Sequence, residues 1–110
     1  MTFNWPLRLD PNGVPEIEPE WLAKNSERVQ IVDVRESDEF TGPLGHIDRA
    51  QLVPLATLPE ALSALSRDKP VVAVCRSGGR SARATQFLNA NGFEAANLPG
   101  GMQRWRQEGR

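Results

Sequence analysis

Residues that cross-link or hold metals are nearly absent: one cysteine and one histidine stand among 110 residues. A single cysteine forms no internal disulfide, which fits a reducing compartment. Cys75 and His46 together are too few good ligands for a structural zinc site. No apolar run approaches the roughly 20 residues that a bilayer span takes. The opening MTFNWPLRLD lacks the apolar core of a secretory signal. The expectation is a soluble, cytoplasmic protein with no membrane partner. An excess of positive charge is missing too. With 13 basic and 14 acidic residues the net charge is −1, so no broad field exists to draw nucleic acid. Basic residues gather only locally, at Arg76, Arg80 and Arg83. Internal repeats and low-complexity segments are also lacking.

What is present describes one globular domain. Hydrophobic residues make up 39% and charged residues 25%, near the averages for folded proteins, and the length allows one core. VQIVDV (29–34) and PVVAVC (70–75) are short, β-branched and almost wholly apolar, the pattern of strands buried on both faces of a parallel sheet. Shorter strands are expected at QLVPL (51–55), FEAANL (93–98) and VPEI (14–17), the last at an edge because of Pro15. Helical patterns lie between them. EPEWLAKN (18–25) has a proline where a first turn tolerates one. TLPEALSAL (57–65) has an apolar stripe at Leu58, Ala61, Leu62 and Leu65, with Thr57 and Glu60 at capping-box spacing. SARATQFLNANG (81–92) ends on Asn-Gly, a left-handed stop, and GMQRWRQEG (101–109) reads as a closing helix. Strands alternating with helices argue an α/β domain with a mostly parallel sheet. Residues 1–13 stand apart as an N-terminal extended arm, ahead of the domain proper at 14–110. Phe3, Trp5, Leu7 and Leu9 recur with period 2, giving the arm one apolar face. That face suits packing on its own domain or a dimer contact, so monomer and weak dimer both stand open.

The lone cysteine closes a buried strand, where open α/β sheets place their ligand sites. A cysteine there is ordinarily a small buried hydrophobe, but CRSGGRS (75–81) is a different context. Gly78 and Gly79 let the chain curl and turn backbone N–H groups inward, forming an anion-binding nest. The start of a helix near Ser81 adds partial positive charge, and Arg76 and Arg80 add full charges. All of these favour thiolate over thiol, so Cys75 is expected to be an ionised nucleophile with an anion site around it.

These residues resemble the rhodanese-like domain, the sulfurtransferase module. CRSGGRS after VVAV is similar to that family's active-site loop. The resemblance extends over 14–109 in family order: IVDVRESDEF (31–40), GHI (45–47), VPL (53–55) and LPGGMQRW (98–105). It implies a five-stranded, mostly parallel sheet with helices on both faces. It implies a sulfurtransferase in which Cys75 takes a sulfane sulfur from thiosulfate or another persulfide donor. Cyanide or a thiol, on a small molecule or a protein, then accepts the sulfur from the Cys75 persulfide. The backbone of Arg76, Ser77, Gly78, Gly79, Arg80 and Ser81 would cradle the persulfide, and Arg76 and Arg80 would hold the anionic donor, as guanidinium forks suit oxyanions. No metal or organic cofactor is implied. Related readings are a protein-to-protein sulfur relay, a non-catalytic regulatory domain, and a cysteine phosphatase or arsenate reductase. The four residues between Cys75 and Arg80 make a loop one residue shorter than the phosphatase pattern, a ring better sized for one sulfur atom than for a phosphate.

Supporting residues are expected nearby. Asp33 and Arg35 end a strand at the same sheet edge and read as a polar brace, Arg35 pairing forward to Glu39. The resemblance assigns His46 to structure near the loop rather than to acid–base chemistry. Arg83, one turn after Arg80, either faces the pocket mouth or is solvated surface. TGPLG (41–45) and Asp48-Arg49 depart from the family pattern and reshape the neighbouring loop.

Overall fold

The structure is a computed structural model that describes residues 3–110. Met1 and Thr2, the start of the arm expected over 1–13, lie outside the described residues. In chain order the elements are β1 (Arg8–Leu9), β2 (Pro15–Glu16), α1 (Pro19–Asn25), β3 (Gln30–Asp33), α2 (Ser37–Phe40), β4 (Gln51–Leu52), α3 (Leu58–Ala61), β5 (Val71–Val74), α4 (Gly79–Ala90), β6 (Ala95–Asn97) and α5 (Gly101–Gln107). Among the described residues no helix is long and apolar enough to cross a membrane.

The strands form one mixed sheet in the order β1-β2-β6-β5-β3-β4. All pairs are parallel except β1 with β2. Six strands thus replace the expected five, and the arm supplies the sixth. Asp10 carries the chain back: its carboxylate accepts from the backbone N–H of Asn12 and Val14 at 2.8 and 2.9 Å, and Gly13 takes the left-handed conformation (φ +80°) that closes the turn. The strand containing Pro15 is therefore one in from the edge. Asp10 N–H bonds the Val14 carbonyl, so the next pair, Leu9 with Pro15, falls at a non-hydrogen-bonded position that needs no proline N–H.

The arm's expected apolar face is only half formed. Trp5 is buried, and Phe3 packs edge-on against it with ring centroids 5.4 Å apart. Leu7 and Leu9 are exposed. Leu7 N–H bonds back to the Trp5 carbonyl at 2.9 Å, a three-residue turn around Pro6 that breaks the alternation.

Both faces of the sheet are covered. Along β5, Val72 and Val74 point to one face, where Leu22 of α1 and Met102 and Trp105 of α5 pack. Val71 and Ala73 point to the other, where Leu58 of α3 and Ala84 and Leu88 of α4 pack. Cys75 continues this second row and faces α4. Residues 57–65, expected as one helix, are broken: α3 keeps one turn, flanked by 3-10 turns at Leu55–Thr57 and Leu62–Ala64. Thr57 already has helical dihedrals (φ −99°, ψ −3°) and makes no cap bond. Its hydroxyl donates instead to the Pro54 carbonyl at 2.9 Å. Leu58 and Leu65 still reach the core, and Ala61 and Leu62 are half-buried.

Candidate active site

Three strand ends meet at the carboxyl edge of the sheet, where β3 gives Asp33, β5 leads into Cys75, and β6 ends on Asn97. The chain leaves β5 and curls through residues 75–81 into α4. Gly78 makes the curl possible with φ +111°, a conformation that L side chains rarely adopt. The curl aims Gly78 N–H at Cys75 Sγ at 3.1 Å, and Ser81 Oγ sits 3.2 Å from the same sulfur. Cys75 is buried, at 1% exposure. Burial pushes its thiol up. The Ser81 hydroxyl and the backbone N–H groups of Ser81, Gly78 and Ser77 outweigh it and hold the thiol below its ordinary range.

The loop is clamped from behind by α5. The first turn of a helix has N–H groups without intrahelical partners. Here Met102 N–H bonds the Cys75 carbonyl at 2.9 Å and Gln103 N–H bonds the Arg76 carbonyl at 3.0 Å. This close approach accounts for the second glycine of LPGGMQRW: Gly101 has φ +54°, and a Cβ there would overlap the Cys75 carbonyl oxygen.

On the front of the loop Arg80 makes a two-pronged pair with Glu39, Nη1 to Oε1 at 2.7 Å and Nη2 to Oε2 at 2.8 Å. That hydrogen bond, with help from the Glu36 backbone, holds the Glu39 carboxyl down to about 2. Glu39 is therefore not the partner of the Arg35 side-chain charge, as the sequence suggested. Arg35 folds back onto Asp33 through Nε–Oδ1 at 2.9 Å and Nη2–Oδ2 at 2.7 Å. Its other donors reach the backbone carbonyls of Glu39 and Gly45 at 3.1 and 2.7 Å. The reason is burial. Asp33 and Arg35 are both about 1% exposed, and a carboxylate shut inside needs its counter-charge at once. The brace exists, with Asp33 as its acid.

His46 makes no hydrogen bond to the sulfur among the described residues. Its ring stacks on Phe40 at 3.6 Å between centroids, and Nδ1 lies 2.8 Å from the Phe40 carbonyl. Arg76 is exposed and makes no side-chain hydrogen bond among the described residues. It borders a pocket of about 350 Å³ with Arg35, Asp38, Glu39, Pro43 and Leu44, so the TGPLG insertion forms one wall. Arg83 is exposed in a separate hollow beside Ser77 and Gly79, facing Asp10 and Glu16 of the first hairpin.

Two residues of this neighbourhood carry weight that the sequence reading did not give them. Glu39 pairs with Arg80 and not with the Arg35 that the sequence pattern suggests. It also completes a capping box, its side chain bonding Glu36 N–H at 3.1 Å. Asn97 is 3% exposed. Ser81 Oγ lies 2.5 Å from its Oδ1, and its Nδ2 donates to the Gly78 carbonyl at 3.1 Å. A lone amide inside the otherwise apolar AANL was its one visible signal.

A buried cysteine whose thiol is shifted down by the N–H and O–H donors around it is able to attack an electrophilic atom small enough to enter the ring and to hold the product there. The chain is similar to known proteins in sequence and in fold. The model of the rhodanese-like domain matches residues 18–108. The uncharacterized protein YqhL of Bacillus subtilis is 43% identical over 71% of this chain and 61% of its own length, so the chain spans less than two thirds of that relative. The thiosulfate sulfurtransferase GlpE of Shewanella oneidensis is 36% identical over 72% of this chain and 77% of that protein. The crystal structure of a rhodanese-related protein from Thermoplasma volcanium superimposes with a TM-score of 0.80 at 34% identity, over 86% of this chain and 92% of that one. With its matched span, its sheet and its cysteine loop, the chain belongs to the rhodanese-like domain family.

Proposed function

We propose that this chain is a sulfurtransferase that carries one sulfane sulfur on Cys75. The observation that carries the reading is the ring around the sulfur: Gly78 N–H at 3.1 Å and the Ser81 hydroxyl at 3.2 Å, on a loop of four residues between Cys75 and Arg80. In the first half-reaction the Cys75 thiolate attacks the outer sulfur of thiosulfate. A Cys75 S–S bond forms, the donor S–S bond breaks, and sulfite leaves with the bonding pair. In the second half, cyanide or a thiolate attacks the outer sulfur of the persulfide and Cys75 leaves as thiolate. No general base is needed once the thiolate exists, which agrees with His46 being occupied by Phe40. The backbone of residues 76–81 receives the charge of the outer sulfur.

Arg76 is the loop arginine free to meet an incoming anion, at the edge of the pocket walled by Pro43 and Leu44. Arg80 has its charge answered by Glu39 and serves to hold the loop shut. The likeness to the Shewanella thiosulfate sulfurtransferase supports thiosulfate as donor. The short loop speaks against phosphate. The test is transfer to cyanide from thiosulfate and from a small organic persulfide, followed as thiocyanate. The wild-type protein turns over with one of the two donors, and Cys75→Ser reduces it to background while leaving the circular dichroism spectrum unchanged. Turnover surviving in Cys75→Ser overturns the mechanism.

A further inference from the structure

The contacts around Ser81 involve more bonds than its hydroxyl can make at once. Oγ lies 3.2 Å from Cys75 Sγ and 2.5 Å from Asn97 Oδ1. A hydroxyl has one hydrogen to give. The amide orientation of Asn97 is fixed independently: its other end lies 3.1 Å from the Gly78 carbonyl, which only the NH2 can satisfy. The end facing Ser81 is therefore the oxygen, an acceptor with nothing to donate. Two arrangements follow. With Cys75 as thiol, S–H points to Ser81 Oγ and the Ser81 hydrogen goes to Asn97. With Cys75 as thiolate, the sulfur draws that hydrogen, and Asn97 Oδ1 loses its donor while still facing the Ser81 oxygen at close range.

We infer that Asn97 is a positioning residue that competes with Cys75 for the Ser81 hydrogen and so tempers how readily the cysteine ionises. All three side chains are buried, with Cys75 at 1%, Ser81 at 0% and Asn97 at 3% exposure, so water does not replace the lost bond cheaply. The two anchors come from different elements, Ser81 from the first turns of α4 and Asn97 from the end of β6. Their separation is fixed by the sheet and not by a flexible loop. The charged groups near Cys75 are Arg76 and Arg80 on its own loop, Glu39 of α2 pairing Arg80, with Glu36 just before that helix, and the Asp33–Arg35 pair at the end of β3. From β6 and α5 the loop meets Asn97, Gly100, Gly101 and the backbone of Met102 and Gln103, none of them charged. A change at Asn97 thus leaves every charge in place. The inference concerns the free cysteine and stands whatever its cargo, so its failure and that of the sulfur-transfer reading register in different measurements.

The test is the pH profile of Cys75 alkylation by iodoacetamide in four proteins: wild type, Asn97→Leu, Ser81→Ala and the double variant. A double-mutant cycle isolates coupling between the two sites. Ser81→Ala removes a donor and moves the midpoint up. Asn97→Leu removes the competing acceptor and moves it down, so that at a pH below the wild-type midpoint alkylation runs several-fold faster. In the Ser81→Ala background Asn97→Leu shows only the effect of losing its Nδ2 bond to the Gly78 carbonyl, and the downward shift is absent. A side chain serving only to pack the strand would shift both backgrounds alike. An Asn97→Leu midpoint at or above that of wild type overturns the inference, and so does an equal shift in the two backgrounds. Should Asn97→Leu fail to fold, Asn97→Val carries the same cycle.

Discussion

Arg80 and Glu39, 41 residues apart in sequence, are joined by two parallel hydrogen bonds of 2.7 and 2.8 Å that fasten the cysteine loop to α2. The pair ties β5–α4 to β3–α2 across the mouth of the site. It also leaves Arg76 as the loop arginine with no side-chain hydrogen bond among the described residues.

The pair has a pH signature. Glu39 is held at about 2 by its hydrogen bonds from Arg80, below the ordinary carboxyl value of 4.5. A depressed folded value means that its contribution is complete above the unfolded value and is lost as pH falls through the folded one. Glu39→Gln is therefore expected to cost about 1 kcal/mol at neutral pH, the upper end for a partly exposed pair. The difference from wild type shrinks between about pH 4.5 and 2. Urea unfolding of both proteins across that range measures it. A difference that stays constant down to pH 2 contradicts the assignment.

The Asp33–Arg35 brace behaves differently because it is buried. Asp33→Ala leaves the Arg35 guanidinium shut in without a counter-charge, and the expected loss is about 3–5 kcal/mol. Arg35→Met fills much of the same volume without the charge but leaves Asp33 unpaired, so it is expected to be similarly costly. The double variant Asp33→Ala/Arg35→Met should recover part of the loss, read from the three urea midpoints.

Arg49 points to a substitution that stabilises. It is the one non-glycine among the described residues with positive φ, at +74°. An L side chain in that region costs about 1–2 kcal/mol, and its ion pair with Glu27 at 3.2 Å is exposed and contributes little. Arg49→Gly is expected to gain about 0.5–1 kcal/mol, less than the full strain because glycine also loosens the unfolded chain. Thermal unfolding checks it: the melting temperature rises by a few degrees, and a fall would contradict the strain argument.

Much of this was legible before any coordinates, and the parts that were not have separate causes. VQIVDV and VVAV read as buried strands because β-branched runs with no polar side admit little else. The cysteine loop was legible because a glycine pair flanked by arginines has few structural uses. The sixth strand was not, since a pairing as short as Arg8–Leu9 has no periodicity to read. Thr57 and Glu60 had the spacing of a capping box, yet the box formed at Glu36 and Glu39. Pro54 supplied a carbonyl that claimed the Thr57 hydroxyl, and spacing alone is silent on such a competitor. Arg35 had acids within reach on both sides, and burial, which sequence does not report, chose Asp33. Asn97 showed only as a lone amide among apolar residues, because its partners come from α4 and the Cys75 loop and are brought to it by the fold.

The most direct measurement of the central claim is intact mass after incubation with thiosulfate or a small organic persulfide, before and after cyanide. The account predicts a gain of one sulfur atom, lost again on cyanide treatment, mapped to Cys75 and absent from Cys75→Ser. A folded wild-type protein that gains no sulfur from either donor would contradict it.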